Sequence, residues 1–372
     1  MKIALFLGNA GKNSGGPEVY EIELLRSLAR IDKKNDYHIF FLFEKGPEKV
    51  GVQPENFTYH MLRPDLRAIS LSVTLPLALR KLNADAVHST FIPPLLIPER
   101  MAYTLPCTGV FEHPGHYPLP IRVRLQVLCG LGIRYSQNVV CISEHVRQWL
   151  RHKTGLPEER LPLVPLGVST AFRPMAEEER RAVVQDKYGL AFPYFLYSGR
   201  WERRKNLPRL IQAFARFKRE RDTAFKLVLS GERTWASQEV DALIKRLGLH
   251  DSVVDLGKSP LEDLPALYGG AAALMYPSLW ESFGLPIVEA MRCGTPVMTS
   301  KTSAMPETAG GAALLVDPFS AEEMAEAMDL LSQDVELRQR LRDKGLLRAE
   351  YFSWDATAEK SLEIYSRLAC RN

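Results

Sequence analysis

The sequence predicts an α/β protein made of two consecutive doubly wound domains, each with a parallel sheet covered by helices. The length of 372 residues is about two to three times that of a typical domain. Hydrophobic residues make up 46% of the chain and charged residues 25%, which is typical of a globular protein. Short apolar runs alternate with helix-like stretches along the chain, and this alternation indicates βαβ units.

The first domain is assigned to residues 1–170. Its predicted strands are apolar runs rich in β-forming residues, at 3–8, 37–43, 86–90, 103–111, 139–142 and 161–166. Its predicted helices lie at 17–31, 70–82, 121–135 and 143–153. Pro17 suits the start of the first of these helices, and Ser143 suits the N-cap of the last.

The second domain is assigned to residues 171–354, where the pattern restarts after a connection near 168–178. Its predicted strands lie at 194–199, 226–231, 253–257, 272–278, 296–300 and 312–317. Its predicted helices lie at 206–219, 236–247, 261–269, 286–293, 320–332 and 334–350. A last helix at 355–369 exceeds what one sheet face requires, so the segment 355–372 is expected to pack back on the first domain.

Composition and charge exclude several classes of protein. The net charge of +4 is small and no basic tail is present, so no nucleic-acid partner is expected. Apolar runs such as Ile39–Phe43 and Ala271–Tyr276 are too short to span a membrane. The run Ile3–Leu7 fits a buried strand better than a signal peptide, so we expect a cytoplasmic protein, either free or peripheral at the inner face of the membrane. The five cysteines are widely spaced and form no C-x-x-C, which disfavours a disulfide framework and a zinc site.

The active site is expected in a cleft between the two domains, because doubly wound sheets bind ligands beyond the carboxyl ends of their strands. The sequence contains none of the motifs G-x-x-x-x-G-K-[ST], G-x-G-x-x-G, G-x-S-x-G and H-E-x-x-H. It also contains no pair of aspartates at positions i and i+2 that could hold a metal against a diphosphate. Any bound phosphate must therefore be neutralised by protein groups, and no metal or other cofactor is expected.

One candidate anion site follows the strand at 194–199, in the segment SGRWERRKNLPRL. Arg200 and Lys205 lie there at the carboxyl edge of a strand. Arginine offers a two-pronged hydrogen-bond donor and lysine a point charge, and together they could offset a diphosphate leaving group. A solvated basic loop before a helix is an equally good interpretation of this segment alone.

The most informative segment is YPSLWESFGLPIVEAMRCGTPV, residues 276–297. Here the strand at 272–278 ends in a loop that contains Glu281, Ser282, Phe283 and Gly284. Pro286 then suits the first turn of a helix, whose exposed amides can receive phosphate oxygens. Gly284 allows close approach of the backbone, and Glu289 lies one turn into the helix, where a carboxylate can accept hydrogen bonds from ribose hydroxyls. Helix capping explains Pro286 but not the whole string.

These motifs resemble those of the retaining GT-B glycosyltransferases of glycosyltransferase family four. The resemblance covers nearly the whole chain and is most specific in ESFGLPIVE, which has the family's E-x7-E spacing from Glu281 to Glu289. Also similar are GRWERRKN, the Gly15-Gly16 loop, MPETAGGAALLVDP and the FSW near the C terminus. The resemblance implies the GT-B fold, with two Rossmann-like domains facing across a cleft.

The resemblance also implies roles for individual residues. Arg200 and Lys205 would contact the donor diphosphate, Glu289 the ribose, and Glu281 the transferred sugar. The implied donor-binding set further contains Gly15, Gly16, Ser282, Phe283, Gly284 and Leu285. Family membership also implies retention of the anomeric configuration and independence of metal ions.

A catalytic histidine is expected in the first domain, where the family usually has one in an H-D or H-E context. The corresponding region, TGVFEHPGHYPLP, departs from that pattern. His113, after the predicted strand at 103–111, is the first choice, His116 the alternate and His88 a third candidate. An ordinary structural histidine is about as good an interpretation of any one of them.

Two further segments of the first domain have open interpretations. The Gly-rich loop Lys12–Pro17 could contact donor phosphates or the acceptor, or form an ordinary turn. The helix at 121–135 combines apolar residues with Arg122, Arg124 and Arg134. That pattern suits a lipid-linked acceptor or an anionic membrane face, although a domain helix with a solvated basic edge explains it more simply.

The sequence thus predicts a metal-independent, retaining glycosyltransferase that moves a sugar from a nucleoside diphosphate to a hydroxyl acceptor. Mannose, and hence GDP-mannose, is favoured, because LVLSGERTWASQEV and AALMYPSLWESFGLPIVEAM look most like the mannosyltransferases of the family. The acceptor is expected to be a saccharide or lipid-linked, in polysaccharide or glycolipid synthesis. The alternatives are a nucleotide-sugar epimerase of the same fold and a non-catalytic subunit that binds sugar nucleotides.

Overall fold

The computed structural model describes residues 1–13, 15–64, 66–234 and 237–370. Two compact units divide the chain: unit 1 contains Met1–Gly167 and the segment from Ser353 onward, and unit 2 contains Val168–Phe352. Five residues used in the predictions lie outside the described residues: Ser14 in the Gly-rich loop, Trp235 in the segment LVLSGERTWASQEV, Ala236 at the predicted start of a helix, and residues 371–372.

Unit 1 has a six-stranded sheet whose strands are all parallel, in the order β3-β2-β1-β4-β5-β6. Its strands are β1 (Lys2–Leu7), β2 (Asp36–Phe41), β3 (Phe57–Met61), β4 (Ala86–Thr90), β5 (Met101–Leu105) and β6 (Asn138–Cys141). Its helices are α1 (Gly16–Ile31), α2 (Lys45–Val50), α3 (Arg67–Ile69), α4 (Leu75–Leu82), α5 (Gly109–Glu112), α6 (Leu119–Tyr135) and α7 (Glu144–Thr154). A π-helical turn, Ser70–Thr74, joins α3 to α4.

Unit 2 repeats this plan with the strand order β12-β11-β10-β7-β8-β9, again all parallel. Its strands are β7 (Tyr194–Ser198), β8 (Lys226–Ser230), β9 (Val253–Gly257), β10 (Ala273–Tyr276), β11 (Val297–Ser300) and β12 (Leu314–Val316). Its helices are α8 (Glu177–Arg181), α9 (Leu207–Glu220), α10 (Ser237–Arg246), α11 (Leu264–Gly270), α12 (Leu285–Arg292), α13 (Met305–Ala309), α14 (Ala321–Gln333) and α15 (Val335–Glu350).

The predicted strand at 103–111 is wrong over its second half. Strand β5 ends at Leu105, because Pro106 has no amide hydrogen to donate to the sheet. The chain from Gly109 then forms the short helix α5, so that His113 follows a helical turn rather than a strand.

The predicted strand at 161–166 is absent, and an unpredicted strand, β3, lies at the edge of the sheet. The first segment makes only one isolated bridge, between Leu163 and Cys141, since Pro162 and Pro165 interrupt the row of amide donors. Strand β3 has no continuous apolar run to reveal it, because at this edge of the sheet Phe57 is the one buried residue of the strand.

In the core of unit 2, the apolar side of helix α9 packs against the sheet. Helix α9 buries Leu207, Leu210, Ile211, Phe214 and Phe217, which are spaced three or four residues apart and therefore share one face. Phe217 meets Phe195 of β7 edge to face, with ring centroids 5.7 Å apart. This packing fixes the chain on either side of the loop that connects β7 to α9.

The last helix, α16 (Trp354–Ala369), belongs to unit 1 and packs against α1 and strands β4 and β5. Its Tyr365 hydroxyl lies 2.6 Å from His88 Nδ1, and Thr104 Oγ1 lies 2.8 Å from His88 Nε2. Both ring nitrogens of His88 are thus engaged within the core. Burial lowers the pKa of His88 to about 3, so the ring is neutral and serves the structure of unit 1.

Each sheet has one topological switch point, where strand order reverses. In unit 1 it lies between β1 and β4, and in unit 2 between β7 and β10. The loops that leave the carboxyl ends of such a pair diverge to opposite faces of the sheet and leave room for a ligand. No helix within the described ranges is both long enough and apolar enough to cross a bilayer.

Acidification should destabilise the protein through His88. The unfolded histidine binds a proton below pH 6.5, whereas the folded one resists protonation until about pH 3. Between pH 7 and pH 5 the free energy of unfolding should therefore fall by about 2 kcal/mol more in the wild type than in His88→Gln. Urea denaturation at both pH values measures this. His152→Gln, at an exposed position of α7, should behave as the wild type does, and equal losses in all three proteins would contradict the assignment.

Candidate functional site

The candidate site of unit 2 lies at its switch point, where the loops after β7 and β10 begin. The first loop contains a 3₁₀ turn, Arg203–Lys205, before α9. The second contains Pro277–Gly284 before α12. Since β7 and β10 are neighbours in the sheet, their carboxyl ends bring these two loops together. The two most informative sequence motifs therefore meet at one place.

A buried ion pair joins the two loops. Lys205 Nζ lies 2.6 Å from Glu281 Oε1, and the Tyr276 hydroxyl, at the end of β10, donates a hydrogen bond of 2.9 Å to the same oxygen. Arg204 Nη1 lies 2.8 Å from the other carboxylate oxygen, Oε2. Lys205 also donates to the Tyr276 hydroxyl. Glu281 thus has two cations and a hydroxyl group around it.

The pKa shifts in this cluster favour the charged form of Glu281 and oppose that of Lys205. Burial alone would raise the pKa of Glu281, but the charges of Arg204 and Lys205 and the hydrogen bonds from Lys205 and Tyr276 lower it to about 2. Burial and the positive charge of Arg204 lower the pKa of Lys205, and Glu281 opposes them. Glu281 is therefore a carboxylate, and Arg204 is a second positive group beside the pair.

Arg200 does not join this cluster directly. Its guanidinium is half exposed and lies 3.2 Å from Glu232 and 3.6 Å from Glu202. Glu202 accepts a hydrogen bond of 2.9 Å from Arg204 Nε. Charges of alternating sign therefore run from the exposed Glu232 through Arg200, Glu202 and Arg204 to Glu281.

The start of α12 has the backbone conformation that the sequence predicted for it. Gly284 precedes the helix with a φ of 97°, a left-handed conformation that suits glycine, and a Cβ there would come within 2.9 Å of Ile287. The Phe283 carbonyl accepts a hydrogen bond of 2.6 Å from Thr308, and Ser282 is buried. Leu285 is the first helical residue. These contacts hold the N-terminal end of the helix beside the ion pair.

Glu289 lies one turn into α12 and is partly exposed. Its Oε2 accepts a hydrogen bond of 2.9 Å from the Tyr268 hydroxyl of α11. Burial of the carboxyl group raises the pKa of Glu289 to about 7, while Tyr268 and the charge of Lys205 lower it. Lys205 therefore acts electrostatically on both glutamates of the E-x7-E pattern.

In unit 1, the predicted Gly15 and Gly16 lie at the N-terminal end of α1. Gly15 has a φ of 73°, and a Cβ on either glycine would meet no atom within 4 Å. The loop before them is fixed from α1: Glu21 accepts hydrogen bonds of 2.8 Å from the amides of both Asn9 and Ala10. The loop is thus anchored at its base and open at its glycines.

His113 precedes and His116 ends a short 3₁₀ turn, Pro114–His116, after α5, and their ring centroids lie 5.7 Å apart. Both are therefore still candidates for the same role. Glu112, next to His113, lies 3.2 Å from His145 Nε2. His88 lies apart from them in the core, so the third candidate is a structural residue.

Sequence reasoning missed three side chains of the unit 2 cluster: Arg204, Tyr276 and Tyr268. Arg204 adjoins Lys205 in the run ERRK, but nothing in that run shows which of its cations turns inward. Tyr276 ends a buried strand and Tyr268 lies on a buried helix, so each has the apolar pattern of a core residue. Among the residues that the structure describes, no group of three or more His, Cys, Asp or Glu side chains could hold a metal ion.

Comparison with known proteins identifies the family. A family model described as glycosyl transferases group 1 matches residues 185–348, and one described as Glycosyltransferase Family 4 matches residues 14–172. O-antigen chain mannosyltransferase B of Escherichia coli is 32% identical over 272 residues, which are 73% of this chain and 71% of that protein. MMP alpha-(1->4)-mannosyltransferase of Mycolicibacterium hassiacum is 35% identical over 219 residues, 57% of this chain and 50% of the relative.

Solved structures show the same fold. Sucrose-phosphate synthase from Thermosynechococcus elongatus superposes with a TM-score of 0.81 over 99% of both chains at 21% identity. Anabaena HepE, solved with UDP and glucose, superposes with a TM-score of 0.78 over 99% of this chain and 100% of its own at 18% identity. The predicted GT-B fold is therefore confirmed.

Removing Arg204 should raise the pKa of Glu281, because Arg204 is the largest charge that lowers it. In the wild type, Glu281 stabilises the fold above about pH 4.5, and this contribution is lost as the pH falls toward 2. Arg204→Gln should lower the free energy of unfolding at pH 7 by about 2 kcal/mol and flatten its decrease below pH 4.5. Denaturant titrations from pH 7 to pH 3 measure both effects.

Arg203→Gln, at the exposed neighbouring position, is the matched control and should leave the curve unchanged. Arg204→Lys should restore part of the stability, because it returns a positive charge. If Arg204→Gln unfolds with the same pH dependence as Arg203→Gln, Arg204 does not hold Glu281 in its charged form.

Proposed function

Since the chain belongs to the group 1 glycosyltransferases of family 4, we propose that it transfers a sugar from a nucleoside diphosphate to a hydroxyl acceptor with retention of anomeric configuration. The observation that carries this proposal is the buried Lys205–Glu281 pair beside the N-terminal end of α12. It combines positive charge, backbone amides and a fixed carboxylate at a switch point, where α/β sheets bind ligands.

In this proposal Lys205 offsets the charge of the donor diphosphate. Its ammonium group contacts the Tyr276 hydroxyl and Glu281, and it can exchange one of these contacts for a phosphate oxygen without leaving a buried charge alone. Glu281 would keep its charge because Arg204 stays on its second oxygen. Arg200, which is half exposed, is free to turn from Glu232 toward the diphosphate. The amides at the start of α12 would receive further phosphate oxygens.

Charge then develops where the site can stabilise it. As the bond between the anomeric carbon and the diphosphate breaks, the electron pair passes to the phosphate oxygen, beside Lys205 and the α12 amides. The acceptor oxygen forms the new bond on the same face of the sugar, and its proton passes to the departing phosphate. The carboxylate of Glu281 would lie near the transferred sugar, where it can hold hydroxyl groups and oppose the positive charge on the ring. No step needs a metal ion or another cofactor.

Glu289 is proposed to hold the ribose of the donor nucleoside. Its carboxyl group accepts one hydrogen bond, from Tyr268, and is partly exposed, so that oxygen atoms are available to ribose hydroxyls. Hydrogen bonds from the ribose hydroxyls favour the charged form of Glu289. Because the pKa of Glu289 is raised to about 7, binding of the ribose should release a proton near neutral pH. The implied roles of Gly15, Gly16 and His113, with His116 as the alternate, remain part of the proposal.

Mannose is the favoured sugar and GDP-mannose the favoured donor. Support comes from the relatives named as mannosyltransferases, among them O-antigen chain mannosyltransferase B of Escherichia coli and a serotype-specific mannosyltransferase of the same species. Those names also support a saccharide or lipid-linked acceptor in polysaccharide or glycolipid synthesis. HepE was solved with UDP-glucose, which makes UDP-sugars the comparison to test against.

The purified chain, incubated with GDP-mannose, UDP-glucose or other nucleotide sugars in excess EDTA, should release nucleoside diphosphate fastest from GDP-mannose. With a glycan acceptor, the product should keep the α configuration of the donor, which the anomeric one-bond carbon–hydrogen coupling in NMR reports. Turnover that disappears in EDTA and returns with magnesium would overturn metal independence. A β-linked product would overturn retention, and an isomerised nucleotide sugar would indicate the epimerase alternative.

Substitutions in the two segments of the site should affect nucleotide binding and turnover differently. Glu289→Ala should weaken nucleoside diphosphate binding about tenfold or more, because it removes a charged hydrogen-bond acceptor. Lys205→Met, of similar volume, should lower kcat about 10²-fold, because the leaving-group charge is largest in the transition state. Titration calorimetry and steady-state kinetics measure the two effects.

Lys301→Ala and Glu326→Ala are the matched controls, since both lie at exposed positions of unit 2, and both should resemble the wild type. Unchanged affinity in Glu289→Ala would exclude that residue from the donor site. An unchanged kcat in Lys205→Met would exclude leaving-group stabilisation by Lys205.

A further inference from the structure

Unit 1 carries an apolar stripe that its own core does not use. Along α3, the π-helical turn and α4, the core side is formed by Leu71, Leu75 and Leu79, spaced four residues apart. A second series with nearly the same spacing lies on the opposite side of the segment. Its members are exposed: Leu66, Ile69, Val73 and Leu77, the last with 62% of its surface accessible. A helical segment that needed only to cover a core would be polar on that side.

Helix α6 shows the same arrangement. Leu125, Cys129 and Ile133 are buried against unit 1 at four-residue spacing. The opposite side again presents exposed apolar side chains at four-residue spacing, namely Leu119, Val123 and Val127, the last 56% accessible. Ile121 is also exposed but lies off this row. The outer side of this helix is apolar between its arginines. This favours a lipid or membrane surface over the simpler interpretation of the helix as a domain helix with a solvated basic edge.

The two stripes lie close together in unit 1. The Leu95 amide donates a hydrogen bond of 3.1 Å to the Leu71 carbonyl of the π-helical turn. A few residues earlier, the Phe91 carbonyl accepts a hydrogen bond of 3.4 Å from the thiol of Cys129 in α6. The loop 91–96 therefore bridges the two helical segments, and it adds the exposed Leu95 and Leu96 between them. We call the surface formed by the two stripes and these leucines the basic apolar face.

All charges on these helical segments have the same sign. Residues 66–82 and 119–135 contain six basic residues and no Asp or Glu, in a chain that has 44 acidic residues in total. The six are Arg67, Arg80, Lys81, Arg122, Arg124 and Arg134. The guanidinium groups of Arg67 and Arg124 both lie within electrostatic reach of Lys12, which brings positive charge from three segments together.

We propose that the basic apolar face docks unit 1 on the surface of an anionic phospholipid bilayer. Its apolar side chains would enter the boundary between headgroups and acyl chains, while its arginines reach the lipid phosphates. Anionic lipid attracts each nearby cation, and apolar burial adds to this, so the two signals together give stable but reversible binding. The inference concerns where the protein works and does not depend on its donor, acceptor or stereochemistry.

Charge favours this occupant over a second copy of the chain. A symmetric dimer through the face would bring twelve cations together with no carboxylate from either helical segment to compensate them. A bilayer that contains anionic lipid instead supplies negative charge wherever the arginines lie. The face is also built from two helices and a loop, so it presents a broad surface rather than a single groove.

The test is co-sedimentation of the full chain with vesicles of phosphatidylcholine alone or with 30% phosphatidylglycerol. The wild type should bind the mixed vesicles at least about tenfold more strongly than the neutral ones, and high salt should weaken this binding. Val73→Ser/Leu77→Ser, Val123→Ser/Val127→Ser and Arg122→Gln/Arg124→Gln should each lower the partition coefficient about tenfold or more. All of these side chains are solvent-accessible to some extent, and thermal denaturation checks that each variant is folded.

Two unit 2 variants are the matched controls. Leu330→Ser/Leu347→Ser removes exposed apolar side chains, and Arg219→Gln/Arg246→Gln removes exposed arginines, outside the face. Both should bind vesicles as the wild type does. Equal binding of the wild type to both kinds of vesicle, or variants of the face that bind normally, would overturn the proposal.

Two other occupants give distinct results, and either would replace the bilayer. A second copy would appear as a lipid-free dimer in sedimentation velocity that Val73→Ser/Leu77→Ser converts to monomer. A lipid-linked acceptor would appear as binding only to vesicles that contain a polyprenyl phosphate.

Discussion

The geometry of the candidate site depends on one interaction, the buried contact between Lys205 and Glu281. The two residues come from loops that leave neighbouring strands and diverge, so the sheet alone does not determine how the loops sit against each other. An unpaired charge in this position would be expensive, and Lys205 cannot turn away from Glu281 without losing a buried ion pair. The pair therefore fixes the 3₁₀ turn before α9 relative to the start of α12. Tyr276, at the end of β10, donates a hydrogen bond to Glu281 and so ties the pair to the edge of the sheet.

In unit 1, the loops at the switch point are held together by a different kind of contact. There Glu21 lies between the ends of β1 and β4 and accepts hydrogen bonds from Asn9, Ala10 and Thr90, and no cation of the described part of the chain is in direct contact with it. Burial raises the pKa of Glu21 to about 7, although those hydrogen bonds lower it. A carboxyl group held this way fixes a loop but offers no positive charge to a ligand. The two units thus share a topology, and among the described residues a buried lysine lies at the switch point of unit 2 but not at that of unit 1.

The limits of sequence reasoning follow from the same physics. The fold and the E-x7-E segment could be predicted, because strand and helix periodicity, Gly284 and Pro286 act locally. Arg203 and Arg204 could not be ranked, since the three cations of ERRK are equivalent in the sequence until tertiary contacts decide which of them face Glu281. His88 looked like a site residue because its two partners come from residues 104 and 365, far away in the chain. Strand 103–111 was overextended because its apolar residues continue into α5, beyond the break that Pro106 imposes.

The row of alternating charges from Glu232 to Glu281 explains how a buried pair can be both stable and exchangeable. Its outer members, Glu232 and Arg200, are about half exposed, so their contact is screened and contributes little to stability. Toward its inner end the row becomes less exposed, through the partly buried Glu202 and Arg204 to the buried Glu281, where each contact is stronger but each charge is more costly to leave alone. Every inner charge consequently has a second partner: Glu281 has Arg204 as well as Lys205, and Arg204 has Glu202 as well as Glu281. One contact can therefore be replaced by a ligand oxygen while the others remain, so that an anion can enter this site without the two loops coming apart.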